Sequence, residues 1–363
     1  MSSDERFMTM AVKLAARGGA DTRPNPRVGA VVVRSGRVVG AGFHRKAGGP
    51  HAEVTALRRA GRRAKGATLY VSLEPCAHVG RTGPCVERIA AAGISRVVAA
   101  MIDPNPRNKG KGLRRLRAAG IRTRVGVLEK EAAALNPIFI TWITKRRPFV
   151  TVKVAQSIDG KIATASGDSR WVSGPQARAW VHRLRADVDA ILVGVKTVLT
   201  DDPRLTVRPL VGHKTPLKII LDTHLRTPPS ARIFSSRTPV LIAAGARVSP
   251  ARKERLQKAG AQIVQFPSVK GRVNLVRLWK MLAAREITHL LIEGGGEVIA
   301  AALEAGLVDR FQCIVAPKII GGREAPTAVG GKGIGSMARA IPLSNLSLQR
   351  LGKDILMTAD LRS

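Results

Sequence analysis

The residues whose types and spacing point most directly to chemistry are His51-Ala52-Glu53, Pro75-Cys76 and Cys85. Zinc takes thiolate sulfur and imidazole nitrogen in a tetrahedron, and a catalytic zinc keeps its fourth position for water. One histidine and two cysteines supply three protein ligands, so His51, Cys76 and Cys85 are expected to bind Zn2+. Bound zinc lowers the pKa of water to roughly 7, which makes hydroxide available at neutral pH. A hydrolysis that expels ammonia also needs a group to take the water's proton and deliver it to the leaving nitrogen. Glu53 follows the histidine by two residues in the first turn of an expected helix. It can sit beside the metal without binding it, and it is the candidate catalytic residue. Cys76 and Cys85 are expected at or near a helix start, where the positive helix end favours thiolate. The competing reading is two buried structural thiols and an exposed histidine. Cys313 has no partner pattern and reads as a small core residue. His44 and His78 flank the motif and could orient a substrate or compete as ligands.

Nucleobase deaminases carry His-x-Glu followed by Pro-Cys-x-x-Cys. Here eight residues, Ala77 to Pro84, separate the cysteines. A proline precedes each cysteine, and Gly80 and Gly83 allow the insert to loop out.

The elements that must position these residues follow from pattern. At roughly 100–200 residues per domain, 363 residues imply two domains. In the first, Arg27 to Gly42 predicts a hairpin turning at Arg34-Ser35-Gly36-Arg37. Helices are expected over His51 to Ala60, Cys85 to Ala92 and Leu113 to Ala119. Strands are expected over Thr68 to Leu73, Val97 to Ile102 and Ile121 to Val127. Alternating strand and helix implies a sheet flanked by helices. After the basic hinge Lys145-Arg146-Arg147-Pro148 the pattern restarts. Strands are expected over Phe149 to Ala155, Ala190 to Val195, Lys218 to Asp222, Val240 to Ala244 and His289 to Glu293. A helix is expected over Ala177 to Arg185, with Ser173 as N-cap and Pro175 in its first turn. The boundary is placed as 1–145 and 146–363. Pro24-Asn25-Pro26-Arg27 recurs as Pro104-Asn105-Pro106-Arg107; two similar turns is the preferred reading over two loops shaping one pocket.

Aromatics are only 3% of the chain, so both cores should be aliphatic. Three cysteines are too few for a disulfide framework. Met-Ser-Ser-Asp-Glu-Arg lacks the features of a signal peptide, and no apolar run approaches the roughly 18 residues of a membrane span. A cytoplasmic protein without membrane contact is expected. The net charge of +36 attracts anions, from phosphorylated metabolites to RNA. With one Tyr, four Trp and seven Phe, stacking platforms for single strands are scarce, so nucleic acid is not the expected partner.

In the second half, Glu293-Gly294-Gly295-Gly296 ends an apolar strand and precedes the helical Val298 to Glu304. Glycines let the backbone approach phosphate, and a helix N-terminus favours an anion. The absence of Gly-x-Gly-x-x-Gly argues against a Rossmann domain. Arg185 and Arg208 are candidate phosphate clamps, because guanidinium matches phosphate oxygens in pairs; for Arg185, beside Arg183, a solvated helix face is the alternative. Lys153 alternates with apolar neighbours on a strand expected to be buried, where an unpaired lysine is costly, so it is a candidate substrate contact.

Several of these segments together resemble the bifunctional deaminase–reductases of riboflavin biosynthesis, over nearly the whole chain. In the first half they are the long Cys-to-Cys insert with Gly80-Arg81-Thr82, Pro24-Asn25-Pro26-Arg27-Val28-Gly29 and Asp103-Pro104-Asn105-Pro106. In the second half they are Lys153 to Lys161, Gly167-Asp168-Ser169-Arg170-Trp171, Val193-Gly194, Asp201 to Arg208 and Glu293-Gly294-Gly295. Gly83 and Asn108 depart from the pattern, Asn108 standing where a small apolar residue is usual, and bear on loop shape.

The resemblance implies a cytidine-deaminase-like α/β/α domain followed by a dihydrofolate-reductase-like α/β domain. It implies zinc-dependent deamination of a diaminopyrimidinone ribosylamino 5′-phosphate, then NADPH-dependent reduction of the ribosyl group to ribityl. Asn25 would contact the pyrimidine. Ala155, Trp171, Thr197, Asp201 and the run Gly295, Gly296, Glu297, Val298, Ile299, Ala300 and Ala301 would border NADPH. Ser169, Leu205, Arg208 and Glu293 would border the substrate, with Lys153 and Arg185 beside them. Asp159 and Asp202 could simply cap turns. The expected partner is a small phosphorylated pyrimidine, and a homo-oligomer is expected. The alternative weighed against this reading is an RNA- or nucleoside-editing zinc deaminase with a basic binding surface.

Overall fold

The computed structural model describes residues 2–79, 83–207, 215–236, 238–269 and 271–361. It divides into two units between Arg147 and Pro148, within the basic hinge.

The first unit begins with helix α1 (Ser3–Ala15), which Ser2 and Glu5 start with a reciprocal capping box. Strands β1 (Gly29–Arg34) and β2 (Arg37–Phe43) form the expected hairpin around Ser35-Gly36. Both turn residues have positive φ, 49° and 73°, as a tight two-residue hairpin requires. There follow α2 (Ala52–Ala60), β3 (Thr68–Val71), α3 (Cys85–Ala91), β4 (Arg96–Ala99), α4 (Lys111–Ala118), β5 (Arg122–Val125), α5 (Glu129–Ala134) and α6 (Pro137–Lys145). The sheet order is β2-β1-β3-β4-β5, with β1 antiparallel to both neighbours and β3, β4 and β5 parallel.

Side chains alternate across a strand, and β1 shows the result. Ala30 and Val32 join α2, α3 and α4 in one apolar cluster, while Val31 and Val33 join α1 and α6 in the other. The unit is therefore three-layered, with a sheet between two helical layers. Asp4 ties the outer layer down: its carboxylate accepts from Tyr70 Oη at 2.9 Å, Arg96 at 2.7 and 2.9 Å and Arg124 at 2.8 Å.

The second unit runs β6 (Phe149–Ser157), α7 (Pro175–Ala186), β7 (Ala190–Gly194), α8 (Val195–Asp201), β8 (Leu217–Leu221), β9 (Val240–Gly245), α9 (Pro250–Lys258), β10 (Ala261–Phe266), β11 (Ser268–Val269), β12 (Arg272–Val273), α10 (Leu275–Ala284), β13 (His289–Ile292), α11 (Gly296–Glu304), β14 (Arg310–Ala316), β15 (Leu343–Leu351) and β16 (Asp354–Leu361). Nine strands form one sheet in the order β10-β9-β8-β7-β13-β6-β14-β16-β15. Its members from β10 to β14 are parallel, and the β15–β16 hairpin is antiparallel. Strands β7, β9 and β13 are buried along their whole length, as a parallel sheet covered on both faces requires.

One local expectation is corrected. The N-cap of α7 is Gly174, not Ser173, and no side chain caps it. Pro175 fixes the first turn, the Gly174 N–H is taken by Asp354 at 2.7 Å, and the Ser173 carbonyl instead accepts from Arg178 at 2.8 Å. Among the described residues, no helix is long and apolar enough to cross a membrane.

Candidate metal centre and reductase cavity

His51 is the N-cap of α2, and its carbonyl accepts the first helical bond from Thr55. Cys85 is the first residue of α3. Cys76 lies in the loop after β3, outside any helix, but its Sγ accepts the Cys85 N–H at 3.3 Å. The positive end of α3 therefore faces both sulfurs, although only Cys85 belongs to the helix. His51 Nδ1 stands 3.2 Å from Cys85 Sγ and 3.6 Å from Cys76 Sγ, and the three ligand atoms all lie within 4.8 Å of one another.

The residues fit zinc on geometry and on charge. Metal–ligand bonds of about 2.0 Å to nitrogen and about 2.3 Å to sulfur place tetrahedral ligands roughly 3.5 Å apart, close to these separations. The neighbouring Cys85 thiol, a hydrogen bond from His51 and the Cys85 N–H bring Cys76 down to about 4. The Cys85 thiol is pushed up by the Cys76 sulfur, by burial and by Glu53. Two thiolates so close need a cation between them, and a thiol that binds metal is deprotonated.

Glu53 is buried at 3% exposure in the first turn of α2. Burial raises its carboxyl and the His51 charge partly opposes this, so a proton is held there more readily than on an ordinary glutamate. His44, also buried, packs edge-on to His51 with ring centroids 5.4 Å apart. Its Nδ1 meets the Pro50 carbonyl at 3.1 Å, so Nδ1 carries the proton and donates. Burial lowers its pKa, which favours the neutral ring. Its Nε2 is then an acceptor for the Asn25 amide at 3.2 Å. Asn25 is thus oriented by His44, whereas Asn105 accepts from Arg107 N–H in its own turn. The recurrent Pro-Asn-Pro-Arg segments use their asparagines differently. His78 Nδ1 is buried without a hydrogen-bond partner, and Gly80, Arg81 and Thr82 lie outside the described residues.

In the second unit, a cavity of about 560 Å³ opens at the ends of β6 and β13. Of the residues singled out from sequence, Lys153, Ala155, Ser169, Trp171, Arg185, Leu205, Glu293, Gly295, Gly296 and Ile299 line it. Arg208 lies outside the described residues. Thr197 stands behind the glycine turn, its Oγ1 3.4 Å from where a Cβ on Gly295 would be. Asp201 ends α8, and its carbonyl accepts from Arg170 at 3.4 Å. Within α11, Gly296 and Ile299 face the cavity, because a helix presents one face. Glu297 turns outward to Arg272 at 3.0 Å and the Gly331 N–H at 3.0 Å. Val298 packs toward Gly194, Ala300 is buried, and Ala301 is not part of the wall. Gly294 takes φ 117°, a conformation open only to glycine, and so turns the chain from β13 into the uncapped start of α11.

Glu293 and Arg185 form a bidentate ion pair, Nε to Oε1 at 2.6 Å and Nη2 to Oε2 at 2.8 Å. Arg185 also donates to the Thr206 carbonyl at 3.2 Å. Burial alone would raise the Glu293 carboxyl, but Arg185 and then Lys153 bring it to about 2. Lys153 is lowered by burial, against the pull of Glu293. The Arg185 fork is thus committed to a carboxylate rather than held open for phosphate.

Sequence reasoning missed Arg178, His182 and Arg204 at the cavity wall. The first two stand at i and i+4 of the helix that carries Arg185 at i+7, so helical spacing was the available signal. It also separates Arg185 from Arg183, which does not line the cavity. Arg178 stacks over Trp171, 4.6 Å from the ring centroid. Asp159 accepts from the Ile320 and Gly321 N–H groups, and Asp202 accepts from the Arg232 N–H; both fix loops.

Comparison with known proteins covers both units. Residues 1–101 match the cytidine and deoxycytidylate deaminase zinc-binding region, and residues 148–357 match the RibD C-terminal domain. The riboflavin biosynthesis protein RibD of Aquifex aeolicus is 44% identical over 98% of this chain and 97% of its own length. The Escherichia coli protein of the same name is 40% identical over 97% and 98%. Among solved structures, Acinetobacter baumannii RibD superposes with TM-score 0.88 at 38% identity, covering 99% of both chains. A diaminohydroxyphosphoribosylaminopyrimidine deaminase/5-amino-6-(5-phosphoribosylamino)uracil reductase from Thermotoga maritima gives 0.82 at 34%, again over 99% of both.

Proposed function

This chain belongs to the RibD family of riboflavin-biosynthesis proteins, and from that premise we propose which reactions its two units perform and through which residues. It is a bifunctional deaminase and reductase, a cytidine-deaminase-like unit followed by a dihydrofolate-reductase-like one. The first unit hydrolyses the 2-amino group of 2,5-diamino-6-ribosylamino-4(3H)-pyrimidinone 5′-phosphate. The second reduces the ribosyl group, opened to its aldehyde or imine form, to ribityl with NADPH, giving 5-amino-6-(5-phosphoribitylamino)uracil. The observation that carries the reading is the convergence of His51, Cys76 and Cys85 with buried Glu53 two residues after His51 in the first turn of α2.

His51, Cys76 and Cys85 would hold zinc, which would supply an activated water at neutral pH. Glu53 takes the proton of the attacking water and returns it to the amino nitrogen, which departs as ammonia. Its raised affinity for a proton suits both halves of that transfer. Asn25, held by His44, offers its remaining amide hydrogen-bonding capacity to the edge of the pyrimidine.

In the second unit the protein supplies position and charge, and bound NADPH would supply the hydride. Gly295, Gly296 and the open start of α11 would receive an anionic part of the cofactor, with Ala155, Trp171, Thr197, Asp201 and the rest of the run to Ala301 beside it. Lys153, Ser169, Leu205, Arg208 and Glu293 hold the substrate. Arg185 acts by fixing the Glu293 carboxylate. Boundaries at 145 and 146 assign these roles to separate units.

A second copy of the chain is proposed as partner. Leu348 and Met357 are paired across β15 and β16 and exposed at 66% and 36%, with Ile355 beside them; an exposed apolar face on a sheet edge favours association. The nucleic-acid-editing alternative is not favoured, because it leaves residues 148–357 without a role.

Metal analysis combined with product identification tests the reading. One zinc per chain and conversion of the diaminopyrimidinone phosphate to the ribityl product with NADPH are expected. Metal-free protein that deaminates at the full rate would refute it.

A further inference from the structure

The zinc ligand Cys76 sits in a loop outside any helix or strand, its carbonyl accepting from the Val86 N–H of α3 at 3.3 Å, and the peptide groups on either side of it are held by side chains. We infer that Asn108, assisted by Arg115, is the positioning residue that fixes the Cys76 loop in its metal-binding form. This inference rests on the zinc site proposed above.

Asn108 is completely buried. Its Oδ1 accepts the N–H of Ala77 at 2.9 Å, and its Nδ2 donates to the carbonyl of Pro75 at 3.3 Å and to Asp103 Oδ2 at 3.2 Å. One side-chain amide therefore brackets Cys76, gripping the peptide groups on either side of it. Arg115 of α4 adds a donor to the Ala77 carbonyl at 2.6 Å. Glu74, two residues before the ligand, accepts from the N–H groups of Asp103, Gly110 and Leu113 at 3.1, 2.8 and 3.2 Å. The fit is close: a Cβ on Gly112 would stand 2.0 Å from the Pro75 carbonyl oxygen. The segment from Asp103 to Arg115 thus acts as a template on which the Cys76 loop lies.

The bonding pattern decides what Asn108 does. A buried side chain that only filled space would have no need of two directed bonds to the chain on either side of one cysteine and a third to Asp103. Groups that orient a metal ligand typically change metal affinity 10- to 100-fold when removed. Loss of a single solvent-exposed hydrogen bond, as from Arg115, corresponds to about 2- to 10-fold.

The test is the rate at which the zinc-loaded full chain gives up zinc to a chromophoric chelator, with thiolate-to-metal absorption of the Co2+-substituted protein as a second readout. Asn108→Ala and the better-filling Asn108→Val are expected to release zinc about 10–100-fold faster and to shift the Co2+ spectrum. Arg115→Ala, at an exposed position, is expected to speed release by about 2- to 10-fold. Glu87→Ala, which removes the other contact of Arg115, should leave the rate unchanged. Wild-type release from a folded Asn108 variant, or from Arg115→Ala if neither Asn108 variant folds, would overturn the inference while leaving the zinc site standing. So would a lower melting temperature of the zinc-free protein with no change in release. Wild-type protein that binds no zinc would remove both the site and this inference.

Discussion

Arg185 and Glu293 meet side by side in the second unit, guanidinium fork to carboxylate, with exposures of 17% and 6%. The pair joins α7 to the end of β13 at the cavity wall, and Lys153 shares its field. Removing one member of a buried pair leaves the other charge uncompensated, which typically costs about 3–5 kcal/mol. Arg185→Ala is therefore expected to destabilise the second unit by about that amount and to abolish reduction. Denaturant unfolding and NADPH consumption by the same preparation check this.

The pair also fixes a pH dependence. Glu293 lies at about 2 in the folded chain against an ordinary 4.5. A carboxyl lowered on folding contributes stability that is complete above about pH 4.5 and lost as pH falls toward 2. Unfolding measured across that range should show a shallower pH slope in Glu293→Gln than in the wild type. Equal slopes would mean that the pair does not perturb Glu293.

Glu53→Gln keeps size and burial but cannot carry the proton. Deamination is expected to fall by about 100- to 10,000-fold, with zinc content unchanged and with reduction of the already deaminated compound intact. Zinc loss in this variant would move Glu53 from proton transfer to metal binding.

Asp4 is a structural counterpart in the first unit, since Tyr70, Arg96 and Arg124 all depend on it. Asp4→Ala is expected to cost about 1.5–3 kcal/mol, the range for hydrogen bonds to a charged group. Differential scanning of the first unit's transition would register it.

The β15–β16 face gives a prediction about assembly. Leu348→Glu places a charge where a second copy is proposed to pack, and sedimentation should show a smaller species than the wild type. An unchanged mass would discard that face as the interface.

Much of this was legible because the chemistry imposes it on the sequence. His51, Glu53, Cys76 and Cys85 fall at spacings that metal binding and helix geometry dictate, and short continuous apolar runs mark β1 and the inner strands of the second sheet. What escaped depends on tertiary contact. The Asp4 network joins residues up to 120 positions apart, whereas the Ser2 and Glu5 capping box and the Gly352-Lys353 turn of the β15–β16 hairpin are local signals that were within reach. Arg185 read as a phosphate clamp because its partner, Glu293, is 108 residues away. Asn108 read as a departure in loop shape, and only the fold brings it against Pro75 and Ala77. Arg178 and His182 were within reach, since they share a helical face with Arg185.

The most direct test of the central claim follows ammonia release and NADPH oxidation together on the diaminopyrimidinone phosphate. Ammonia is predicted to appear without NADPH, and NADPH oxidation to lag behind it and match the ribityl product one for one. NADPH oxidation on the substrate before any ammonia is released, or ammonia release that requires NADPH, would contradict the account.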